Sequence, residues 1–131
     1  MENDAVSLPA FGAIEPDRVL AQDELFAIVR DKYPVSPGHA LIIPKREVRW
    51  FNELTALEMA RLLSWVTWTQ EFLRKHGGRV LDGFNLGVND GPAAGQTILQ
   101  FHFHVIPRYV GDVADPRGGL RWVIPEKAKY W

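Results

Sequence analysis

Apolar residues along this chain fall into several short runs and one long periodic stretch. Residues 18–22 (Arg-Val-Leu-Ala-Gln) and 24–30 (Glu-Leu-Phe-Ala-Ile-Val-Arg) read as two strands around a tight turn near Asp23. Pro34, Pro37 and Gly38 then punctuate a loop, and His39-Ala-Leu-Ile-Ile43 is a β-branched strand closed by Pro44. Thr55 with Glu58 three residues on is a capping box, and Gly77-Gly78 is a stop, so one long helix lies between them. Its apolar stripe is read as Leu57, Ala60, Leu63, Trp68 and Phe72, widened by Leu62, Trp65 and Val66. A stripe that wide faces both its own sheet and a neighbour. Residues 82–89 form a further strand, Asp90 to Gly95 a compact loop, and residues 97–107 a strand of strict alternation.

Residues 1–16 lack periodicity and are expected to be a poorly ordered or surface-laid lead-in, while residues 109–131 mix Gly, Pro and charge as a surface tail. Strands, one helix and strands again, joined by short connections, predict a single α+β domain over 1–131. Its sheet is mostly antiparallel, with about five strands.

Composition removes several function classes. Fifteen Lys and Arg against sixteen Asp and Glu give a net charge of −1, so no global field attracts nucleic acid or an anionic membrane. No apolar run reaches the roughly 18–20 residues of a membrane span. The first residues lack the basic and apolar regions of a secretory signal, and a cytoplasmic location is expected. With no Cys there is no thiol nucleophile and no thiolate metal site.

The candidate chemistry lies on the last strand. Side chains two apart on a strand share a face at about 6.6–6.8 Å, so Gln100, His102 and His104 are expected on one face and Phe101, Phe103 and Val105 on the other. Alone, a His-x-His pair is open to three readings: metal ligation, nucleophilic or acid–base catalysis, and chance. Just upstream, Asn89-Asp-Gly-Pro-Ala-Ala-Gly-Gln96-Thr97 combines glycines that admit a ligand close to the backbone with the neutral hydrogen-bonding groups Asn89, Gln96 and Thr97.

Three segments in order, Ser36-Pro-Gly-His-Ala-Leu-Ile-Ile-Pro-Lys45, Asn89 to Thr97, and Gln100-Phe-His-Phe-His-Val-Ile-Pro-Arg108, resemble the histidine triad (HIT) family. The resemblance covers about residues 18–112 and is nearest the fragile-histidine-triad and dinucleoside-polyphosphate-hydrolase branch. It implies a HIT fold, a homodimer and a nucleotide substrate cleaved at the α-phosphate, with release of a nucleoside monophosphate. No cofactor would enter the chemical step, and a divalent ion would only accompany the polyphosphate. His102 matches the family nucleophile, which forms a nucleotidyl-histidine, and His104 the third triad histidine. Asn89, Gln96 and Thr97 match phosphate- or ribose-binding positions, His39 the histidine packed beside the triad, and Asp31 a ribose-facing position.

The first triad position departs from the pattern. Gln100 stands there, and an amide hydrogen-bonds but carries no charge and shuttles no proton. It is expected on the substrate. Two rival readings follow: a nucleotide-binding protein without turnover, and a metal hydrolase built on His39, His102 and His104.

Overall fold

The computed structural model describes residues 5–131. Strands β1 (Ser7–Leu8) and β2 (Gly12–Ala13) form a small antiparallel hairpin. A 3₁₀ turn at Pro16–Arg18 leads into β3 (Val19–Gln22), β4 (Phe26–Arg30) and β5 (Ala40–Pro44). Then come α1 (Ala56–His76), β6 (Gly83–Gly87) and β7 (Phe103–Arg108), followed by a 3₁₀ turn at Gly119–Val123 and the short helix α2 (Pro125–Ala128). Strands β3 to β7 make one five-stranded sheet in the order β3-β4-β5-β7-β6, with every neighbouring pair antiparallel. The architecture is α+β.

The turn at Asp23 follows from its side chain. One carboxylate oxygen accepts from the backbone N–H groups of Leu25 and Phe26, and the other from Arg61 and the Trp65 indole on α1. One residue thus closes the β3–β4 hairpin and ties it to the helix. The helix begins as its sequence dictates: Thr55 Oγ1 accepts from the Glu58 N–H, and the Glu58 carboxylate takes the Thr55 N–H in return.

Strands β4 and β5 are buried on both sides, which is why they read as continuous apolar runs. Phe26, Ile28 and Ile42 face α1, where they meet Leu62, Val66 and Leu73. Ala27, Val29, Leu41 and Ile43 face the other way, onto Val6, Leu8 and Ile14. The lead-in is therefore not loose over its described part; its apolar side chains complete a second core, and residues 1–4 lie outside the described residues. Two-residue strands leave no periodicity to read.

The helix buries only part of the stripe expected of it, Leu62 and Val66 among its members. Its buried row is Leu62, Val66, Thr69 and Leu73, spaced by three and four, whereas Leu57 and Leu63 remain 60% and 67% exposed. Thr69 enters the buried row because its hydroxyl donates to the Trp65 carbonyl at 2.7 Å, so no polar group is left unmatched. No helix among the described residues is long and apolar enough to cross a membrane.

The last strand is shorter than its alternation suggests. Regular pairing starts at Phe103, and Gln100 and Phe101 are both fully buried, so period-two alternation does not extend back to residue 97.

Candidate active site

A cavity of about 490 Å³ opens on the sheet face away from α1, walled by the β1–β2 hairpin on one side and by residues 89–98 on the other. His104 reaches it from β7, where it sits opposite Leu41 of β5 and Gly87 of β6. His102 lies just before that strand, and His39 just before β5. Asp31 follows β4, and its N–H donates to the His39 carbonyl at 2.9 Å. Six of the eight sequence candidates line this cavity: Asp31, His39, Asn89, Thr97, His102 and His104.

Hydrogen bonds fix the proton positions on the three rings. The Val35 N–H donates to His39 Nδ1 at 3.1 Å, and an N–H can only donate, so that nitrogen holds the lone pair. In the neutral ring the proton of His39 is then on Nε2, which donates to His104 Nδ1 at 3.0 Å. His104 must therefore carry its own proton on Nε2. That atom is buried and has no hydrogen-bond partner among the described residues. At His102, Nδ1 lies 2.7 Å from the Gln100 carbonyl, which only accepts, so Nδ1 donates and Nε2 keeps the lone pair.

Electrostatics agree with neutral His39 and His104 rings. Burial, with the neighbouring His102 and His39 rings, pulls the His104 pKa down to about 4. Burial also lowers that of His39, against the opposing pull of the Asp31 carboxylate, 3.4 Å from His39 Nε2. The site thus places a ring nitrogen with a free lone pair beside a neutral N–H donor that has no partner among the described residues. That pair suits attack on an electrophile whose oxygen needs a hydrogen bond.

Two candidates turn away from the cavity. Gln100 was expected beside His102, but its side chain is fully buried and bonds to Pro44, Arg46 and Val48. Gln96 was expected on phosphate; its side chain is also buried, accepts from the Gly91 N–H and reaches the Gln100 carbonyl. Both amides are occupied within the protein. Nor do the two loop glycines serve alike. Gly91 at φ 100° faces Trp50 so closely that a Cβ there would meet the indole at 2.6 Å, while Gly95 at φ 101° lines the cavity.

Sequence reasoning missed the far wall. Phe11, at the hairpin tip, meets the His102 ring edge-on with centroids 5.2 Å apart, and Ile14 and Tyr33 join it around the cavity. The only signal was the apolar pair Phe11 and Ile14 inside an otherwise aperiodic segment.

Asp31, His39 and His104 also form a group able to hold a metal ion, with ligand atoms within 4.8 Å of one another. His102 is not one of the three. The His39 and His104 nitrogens already share a proton, so an ion must displace it. Arg108, beyond the site, is held by Asp112 and Asn85.

The HIT domain model matches residues 13–111, and the chain belongs to that family. It is 38% identical over 97 residues to an uncharacterised HIT-like protein of Methanocaldococcus jannaschii, across 74% of this chain and 73% of that one. It is 39% identical over 101 residues to the AP-4-A phosphorylase of Mycobacterium tuberculosis, across 75% of this chain. The match spans only 50% of that enzyme's length. The crystal structure of the Caenorhabditis elegans NitFhit protein superposes with a TM-score of 0.75 at 31% identity, over 95% of this chain and 28% of that one.

Proposed function

We propose that the chain is a nucleotidyl-transferring hydrolase acting on dinucleoside polyphosphates, with His102 as nucleophile. The observation that carries this reading is the pairing, in one cavity, of a lone pair on His102 Nε2 with a buried, partnerless N–H on His104. Family membership and the similarity to an AP-4-A phosphorylase support the substrate class.

In the first step His102 Nε2 bonds to the α-phosphorus as the bond from phosphorus to the polyphosphate oxygen breaks. The electron pair leaves with the polyphosphate, whose charge spreads over its oxygens, so no protonated side chain is required for departure. His104 Nε2–H gives a hydrogen bond to an oxygen of the reacting phosphate, with Thr97 and Asn89 at the same wall. In the second step water attacks the same phosphorus, the electron pair of the P–N bond returns to His102 Nε2, the attacking water gives up a proton to solvent, and a nucleoside monophosphate leaves. Phe11, Ile14 and Leu41 offer an apolar wall for the base, and Asp31 offers acceptors for ribose hydroxyls. No cofactor enters either step; a divalent ion belongs to the polyphosphate.

The same reading includes a homodimer. Leu57 and Trp68 stay exposed on the side of α1 opposite its buried row, and a second copy would cover them.

The test is incubation with diadenosine tri- and tetraphosphate, with and without chelator, and with and without inorganic phosphate. AMP release in phosphate buffer-free, chelated conditions supports the reading. Loss of all activity on chelation, with a pre-bound magnesium series restoring nothing but free zinc doing so, favours the Asp31, His39 and His104 metal site instead. Tight AMP binding without turnover of either compound favours a binding protein.

A further inference from the structure

We propose that Gln100 is a positioning residue for His102: its side chain fastens its own main-chain carbonyl, and that carbonyl holds the imidazole in the Nδ1–H form. The inference rests on the reading of His102 as nucleophile.

Gln100 is completely buried, and its amide makes three bonds to one segment. Oε1 accepts the Val48 N–H at 3.0 Å, and Nε2 donates one hydrogen to the Pro44 carbonyl at 3.0 Å and the other to the Arg46 carbonyl at 2.8 Å. Both amide hydrogens are consumed. The next residue adds a fourth tie, since the Phe101 N–H donates to the Val48 carbonyl at 2.6 Å. The Gln100 carbonyl, gripped on either side in this way, accepts the His102 Nδ1–H at 2.7 Å.

The segment that Gln100 grips is itself anchored. Arg46 makes two bonds to the Glu58 carboxylate, at 2.8 and 3.2 Å, and that carboxylate also accepts the N–H of Thr55, the N-cap of α1. On the other side Gln96 Nε2 touches the Gln100 carbonyl at 3.5 Å, while its Oε1 holds the Gly91 N–H. One carbonyl therefore connects the helix cap, the 91–96 loop and the nucleophile.

Glutamine suits this position better than histidine. A neutral imidazole has one donor and one acceptor and satisfies at most two of the three backbone groups; a protonated one has no acceptor for Val48. The amide satisfies all three and does not titrate. The departure from the family pattern thus removes no reacting group from the cavity, and makes the support of His102 independent of pH.

The experiment compares wild type with Gln100→Met, which keeps the volume and loses every bond, and Gln100→His. Nitrogen-15 NMR of the substrate-free proteins reads the His102 tautomer, and steady-state kinetics on diadenosine tetraphosphate read kcat and KM separately. Wild type is expected to show a protonated, hydrogen-bonded Nδ1. Gln100→Met is expected to show mixed tautomers and a kcat lowered about tenfold or more with KM within about threefold, as for a lost orientation effect. A folded Gln100→Met with the wild-type tautomer and kcat overturns the proposal. If that variant does not fold, Gln100→His decides: its kcat relative to wild type should fall between about pH 8 and pH 5.5 as the new imidazole protonates. A ratio that stays flat at one overturns the proposal. Because the tautomer is read without substrate, a wild-type protein inactive on every nucleotide would sink the functional reading and still report on Gln100.

Discussion

The rings of His39 and His104 share one hydrogen bond, 3.0 Å from Nε2 to Nδ1, and its direction is set by the backbone N–H of Val35. That N–H fills the only other nitrogen of His39, so the proton order runs one way, from loop to His39 to His104, and ends at a buried Nε2–H. The site is built to present a neutral donor, and its neutrality has measurable consequences.

The first is pH-dependent stability. The folded pKa of His104, about 4, lies below its free value of 6.5, so between these values the unfolded chain binds the additional proton. Stability therefore rises with pH across that window and the contribution is complete above it. His104→Asn keeps an acceptor for His39 without the titration. From about pH 6.5 down to pH 4, wild type should lose on the order of 1–3 kcal/mol more than this variant, measured by urea unfolding. Parallel curves for the two proteins would show that His104 titrates normally.

A second prediction concerns Phe11. Truncation to Ala removes the aromatic edge against His102 and a wall of the cavity while leaving the proton order intact. KM for diadenosine tetraphosphate should rise roughly three- to tenfold, as expected for losing an aromatic contact of about 0.5–1.5 kcal/mol, with a smaller change in kcat. An unchanged KM would move the base elsewhere.

Asp23 provides a contrast, because it supports the fold at a distance from the chemistry. Its carboxylate accepts from two backbone N–H groups, Arg61 and the Trp65 indole, and these contacts hold its pKa below the usual carboxylate value against the opposing effect of burial. Asp23→Ala should cost roughly 2–4 kcal/mol in thermal or urea unfolding. At temperatures where the variant is folded, kcat should stay within about twofold of wild type.

The exposed α1 residues test the dimer. Leu57→Glu places a charge on the exposed side of α1 that Leu57 shares with Trp68, and sedimentation equilibrium should then report a monomer where wild type gives a dimer. A monomeric wild type, or a variant that still dimerises, would show that this side has no such partner.

Much of this was legible in the sequence, and the omissions share a cause. The doubly buried strands β4 and β5, the Thr55–Glu58 cap and the His102–His104 pair announce themselves through local composition and spacing. The buried helix row was legible only in part: Leu62 and Val66 belong to the stripe read from the sequence, but Thr69 looks polar until its bond to the Trp65 carbonyl is known, and Leu57 and Leu63 look like core. The inward turn of Gln100 depends on Pro44, Arg46 and Val48, more than fifty residues away in sequence, and on a backbone that leaves strand geometry before Phe103. Phe11 belongs to strands too short to carry a period. Long-range hydrogen bonds and short irregular segments decide these positions, and neither leaves a local pattern.

In the proposed reaction His102 Nε2 bonds to the α-phosphorus. Rapid acid-free quenching of wild type during turnover of diadenosine tetraphosphate, followed by intact-mass analysis and peptide mapping, reads that bond directly. The expected result is a transient adenylyl adduct on the peptide carrying His102, and neither adduct nor AMP release from His102→Ala. An adduct on another residue, or wild-type turnover by His102→Ala, would contradict it.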